Sequence, residues 1–185
     1  LNNLGEYNQE IGNENLSIAY YKKALELEPE NLRSKWLLMN TFPVIYKNFE
    51  QISYFKKHFE ENLRSLEALV SKNNIFEKKQ ILSALNSSSN FYLHYTGGDI
   101  TSLQKRYGAL LQKLTKYVYP QVGRKIVFNK SSKLKKVGFI SSFFCEHVVS
   151  KLFKNWIIKL NKNKFKTFVY HLGMKSDHIT DLIKE

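Results

Sequence analysis

The chain has 185 residues, a formal net charge of +13, 43% hydrophobic residues and a single cysteine, Cys145. One cysteine excludes an internal disulfide and fits a reducing, cytoplasmic setting, and no apolar run approaches the roughly 20 residues of a membrane span. The charge admits a nucleic-acid or anionic-lipid partner, but lysines occur all along the chain with no nucleic-acid motif beside them, so solvated helix faces account for it and no nucleic acid is expected.

The chain opens at Leu1, which points to a natural start upstream and leaves no leader peptide to judge. In residues 1–31, Leu4-Gly5, Gly12, Tyr21, Ala24-Leu25 and Pro29 fall at fixed spacings. Gly12 suits a tight turn between two helices, Ala24 suits close packing, and Pro29 closes the second helix. The spacing resembles most of one tetratricopeptide repeat, a helical hairpin of roughly 34 residues. Such repeats stack in groups of about three or more, so further copies are expected before Leu1.

Residues 32–120 read as a helical region. A helix runs around Leu32, Trp36 and Met39 and is interrupted near Pro43. Asn48 is placed to cap a longer helix whose stripe is Phe49, Ile52, Phe55, Phe59, Leu63, Leu66 and Val70, read as core packing against neighbouring helices. A shorter helix spans Ile75 to Leu85 and is broken by Ser87-Ser88-Ser89-Asn90. After Phe91–Tyr95 and Gly97-Gly98, Asp99 suits the N-cap of a helix through Leu103, Tyr107, Leu110 and Leu114, ended near Pro120. Residues 121–133 are polar and basic without a period and read as a linker.

Residues 134–185 change character. Val137, Phe139 and Ile140 suit a buried strand, and Gly138 permits close backbone approach. Val149, Leu152, Phe153, Trp156, Ile157 and Leu160 repeat at helical spacing, and Phe165 to His171 has the aromatic and β-branched content of a second strand. Strand, loop, helix and strand make a βαβ unit, which requires parallel pairing. Ligands of such sheets bind beyond the carboxyl ends of the strands, where Ser141 to His147 lie. A further helix is expected over Asp177 to Lys184.

The run Val137-Gly138-Phe139-Ile140-Ser141-Ser142, a spacer and His147 resembles the opening of the catalytic region of the O-linked N-acetylglucosaminyltransferase family, glycosyltransferase family 41. There a V-G-F-x-S-S-D-F-x-N-H segment begins the first lobe of a two-lobed nucleotide-sugar transferase. Phe143 stands where that family usually has Asp, Glu146 where it often has Asn, and Val148 where it often has Pro, which fits a divergent bacterial-type member. Asn90-Phe91, Leu93, Tyr95, the Gly98-Asp99 turn and Leu103-Gln104-Lys105-Arg106-Tyr107-Gly108 are similar to the segment joining repeats to catalytic region in bacterial members. With the repeat, the resemblance spans nearly the whole chain in the right order.

The implied fold is mainly α, then α/β: a TPR-like helical region followed by the first βαβ part of a Rossmann-like glycosyltransferase lobe, truncated at Glu185. The implied reaction is transfer of N-acetylglucosamine from UDP-N-acetylglucosamine to Ser or Thr of acceptor proteins or peptides held in the groove of the repeats. The UDP-sugar site is expected in a second lobe outside this segment, so this piece alone is expected to be inactive, with no cofactor and no metal implied. Two alternatives stay open: a protein N-glucosyltransferase of the same family, and a non-catalytic repeat scaffold.

By that resemblance His147 is the catalytic candidate. Spacing alone gives it a second role, as a histidine capping or packing at the start of the helix from Val148. Ser141, Ser142 and His171 fall on the same sheet edge as candidate cleft residues; the serines lack the G-x-S-x-G elbow of a nucleophile. Glu146 beside Cys145 disfavours a thiolate. His58, His94 and His178 have no partner spacing, and neither a metal-ligand cluster nor a glycine-rich phosphate loop occurs.

Overall fold

The computed structural model describes residues 1–71, 76–123 and 133–184. Ile75 and most of the expected linker over 121–133 lie outside the described residues. The chain divides into two compact units, Leu1–Arg124 and Lys125–Glu185. The first is helical and the second is a small α/β unit. Among the described residues no helix is long and apolar enough to cross a membrane.

The helical unit contains α1 (Asn2–Glu10), α2 (Glu14–Leu27), α3 (Leu32–Met39), α4 (Phe49–Ser71), α5 (Lys78–Leu85) and α6 (Thr101–Val118). Gly12 turns the chain between α1 and α2 with a φ of +80°, a conformation that favours glycine. The tightest crossing of this hairpin is at Gly5, where a Cβ would overlap the ring of Tyr21. Ala24, expected at the close contact, is half-buried and lines a shallow groove with Leu1, Asn2 and Ser34. The buried Ser17 hydroxyl donates to the Gly5 carbonyl at 2.8 Å, tying α2 to α1.

The side chain of Asn31 caps α3 by accepting from Ser34 N–H at 2.9 Å. Asn48 does the same for α4 through Gln51 N–H at 2.8 Å. Trp36 is fully buried, donates through Nε1 to the Ser88 carbonyl at 3.0 Å, and meets the Tyr107 ring at 5.4 Å. It thereby joins α3, the break after α5, and α6. Phe42 packs against Phe55 and Phe59 beneath it. The long stripe of α4 is buried from Phe55 through Phe59, Leu63 and Leu66 to Val70. Phe49, expected in that stripe, is instead 87% exposed. Phe91–Thr96 forms a 3-10 helix, and α6 starts at Thr101, whose N–H is accepted by the Asp99 carboxylate at 2.8 Å. Arg106 on α6 grips Glu67 on α4 through two nitrogens, at 2.6 and 3.1 Å.

The second unit contains β1 (Lys135–Ser141), α7 (Val148–Ile158), β2 (Phe165–His171) and α8 (His178–Lys184). The two strands pair in parallel, from Lys135 opposite Phe165 to Ser141 opposite His171. Phe139 and Val169 pack on a small core of Phe144, Ile157, Ile179 and Ile183. Thus one sheet face is covered. On the other, Ile140 is 68% exposed and Tyr170 is also exposed, which corrects the reading of Ile140 as part of a buried strand. The helix α7 forms where helical spacing placed it, with Ile157 and Ser150 buried and Leu152, Phe153 and Trp156 exposed.

Candidate functional site

Both strands end at the same edge, with Ser141 opposite His171. The loop after β1 and the loop after β2 are held together there. Glu146 N–H donates to the Asp177 carboxylate at 2.7 Å, and the buried Thr180 hydroxyl donates to the Phe144 carbonyl at 2.6 Å. Ser150 at the start of α7 donates to the Phe143 carbonyl at 2.6 Å. Gly173 lies so close to the Ser142 carbonyl that a Cβ would overlap it. Every one of these contacts uses backbone of the Ser141–His147 loop, so the loop is fixed from both sides.

Asp177 is the hub. Its other oxygen accepts from Ile179 N–H at 3.0 Å, capping α8. The Glu146 N–H first, then those of Thr180 and Ile179 and the charge of Lys175, hold its carboxyl below the usual carboxylate value of 3.8. The sequence carried a sign of this: Asp followed three positions later by Thr opens α8. What the sequence did not carry is the reach of Asp177 across to Glu146.

His147 occupies the N-cap of α7, and its Nδ1 accepts from Val149 N–H at 3.2 Å. The neutral ring therefore carries its proton on Nε2. The ring stacks on Phe143, with centroids 4.3 Å apart and planes 17° from parallel. The Ser141 hydroxyl oxygen accepts from Phe143 N–H at 3.0 Å, which sets that ring in place, and Ser142 is exposed beside it. His171 Nε2 donates to the Lys175 carbonyl at 2.9 Å, and its Nδ1 is buried without a partner among the described residues. The structure thus brings Ser141, Ser142, His147 and His171 to one edge, while the two histidines engage different partners.

The remaining histidines have structural places. His58 is buried and donates to the Leu38 carbonyl at 2.8 Å; burial lowers its pKa from the ordinary 6.5. His94 contacts the Phe91 carbonyl and His178 is exposed at the start of α8. Cys145 is buried. Among the described residues no group of three or more His, Cys, Asp or Glu could hold a metal ion. A groove of about 710 Å³ opens between α7, α8 and β2, lined by Ile157, Phe165, Val169 and Leu182; these belong to the core side of the unit, not to the loop edge.

No family model, curated protein or solved structure matches the chain.

Proposed function

We propose that this chain is part of a UDP-sugar-dependent protein glycosyltransferase that moves N-acetylglucosamine to Ser or Thr hydroxyls. The observation that carries the reading is the fixed loop at the carboxyl edge of a parallel strand pair, presenting His147 on the Phe143 ring. Such an edge is where open α/β sheets take their ligands. With Nδ1 accepting from Val149 N–H, the Nε2–H of the neutral ring is left to donate a hydrogen bond to a reacting oxygen. The α1–α2 hairpin is proposed as the end of a repeat array that holds the acceptor polypeptide, with the UDP-sugar bound on another lobe.

The cap contact of His147 favours a second reading, a repeat scaffold in which this ring only starts α7. One preparation separates the two. His147→Ala should lower the stability of the α/β unit by about 1 kcal/mol through loss of the cap in either case. In the transferase, sugar transfer from UDP-N-acetylglucosamine to a Ser/Thr peptide by the protein carrying this chain should also fall roughly 100-fold per folded molecule. Unchanged transfer in the folded variant removes His147 from the reaction.

A further inference from the structure

We infer that the outer face of α7 docks on an anionic membrane leaflet, its apolar side chains entering the headgroup region and nearby lysines facing the lipid charge. Val148, Leu152 and Trp156 follow at four-residue intervals, so they form one line along the helix. They are 58%, 64% and 66% exposed, and Phe153 meets the Trp156 ring edge-on at 5.4 Å. The core uses a different arc of α7, the one with Ser150 and Ile157.

Charge selects the occupant. Residues 147–176 hold seven lysines and no acidic residue. Of these, Lys151 and Lys159 are exposed on and at the end of α7, and Lys164 is exposed in the turn after it. The unit Lys125–Glu185 carries 13 of the 29 basic residues and four of the 16 acidic ones, leaving it nine charges positive in a third of the chain. A helix with Trp, Phe and Leu on one face and lysines around it matches interfacial binding to anionic lipid. A second copy on this face would bring two strongly positive units together. Nucleic acid would engage the lysines but find few polar groups along the Val148–Trp156 line, since phosphate contacts are made by charged and polar groups.

The test pellets the 185-residue chain with sucrose-loaded vesicles of phosphatidylcholine, with and without phosphatidylserine. Binding is expected only with phosphatidylserine, falling as salt is added. Tryptophan emission should shift to the blue on binding, reported by exposed Trp156 because Trp36 is fully buried. The Leu152→Ala/Trp156→Ala double variant, expected to keep its circular dichroism, should bind at least about tenfold more weakly. Absence of pelleting, equal pelleting on neutral vesicles, or undiminished binding by the double variant overturns the proposal. So does a dimer in sedimentation velocity that the double substitution dissolves, or a preference for an oligonucleotide over the anionic vesicles.

Discussion

The helical unit encloses its largest side chains completely: Trp36, Met39, Phe42, Phe59, Leu63 and Leu66 have essentially no accessible surface. In the α/β unit the buried apolar core is Phe144, Cys145, Ile157, Ile179 and Ile183, while Ile140, Leu152, Trp156 and Tyr170 are exposed. Both units have similar aromatic and aliphatic residues to offer. Among the described residues, helices α2 to α6 share one apolar interior, whereas one strand pair with two helices can cover only one sheet face. The difference means that the helical unit draws its stability from packing, and the α/β unit leans on hydrogen bonds that clasp its two loops.

The two tryptophans give the largest test of that contrast. Trp36→Ala should cost about 3–5 kcal/mol, because it empties a packed site and leaves the Ser88 carbonyl unpaired. Trp156→Ala should stay within about 0.5 kcal/mol, since its ring is mostly in solvent. Urea unfolding of both variants measures this; equal losses would remove the contrast.

Gly5→Ala should cost about 1–3 kcal/mol, as the added methyl meets the buried Tyr21 ring. Gly108→Ala is the control: nothing lies within 4 Å of its would-be Cβ, and the exposed helix interior there should gain up to about 1 kcal/mol. A shared denaturation midpoint for the two variants would show that the α1–α2 crossing yields.

Acid should separate the units. Burial lowers the His58 pKa below its ordinary 6.5, so below that pH the unfolded chain takes up a proton that the folded unit does not. The helical unit then loses stability as pH falls from about 6.5 toward the folded pKa, by at most about 1.4 kcal/mol per pH unit. His58→Gln should flatten that slope. In the α/β unit the relevant group is Asp177, whose carboxyl lies below its ordinary value. Its contribution is present above the usual carboxylate pKa of 3.8 and is lost as pH falls through the lower folded value. Amide exchange followed against pH should show the helical unit loosening first, and Asp177→Ala should release the Glu146 and Ile179 amides. Loosening of the α/β unit at the higher pH would contradict the assignment of Asp177 as its clasp.

Most of the elements and their ends are legible in the chain's local chemistry. Local chemistry sets these: Asn31 and Asn48 cap where their side chains reach the next turn, Gly12 turns the hairpin, and Phe165 to His171 carries the aromatic and β-branched residues of a strand. The shared edge of Ser141 and His171 is legible too, because a βαβ unit makes its strands parallel. Periodicity, however, shows that a helix or strand has an apolar face without saying what covers it. Hence Phe49, Ile140 and the Val148–Trp156 line could not be told from core residues such as Phe55 and Ile157 until the packed neighbours were in place. The same holds for the site. The His147 cap and its Phe143 neighbour are local to one loop, whereas the crossing of Asp177 to Glu146 joins loops 31 residues apart in sequence. A contact of that second kind appears only in the folded chain, because its partners are brought together by distance in space and not by their places in the sequence.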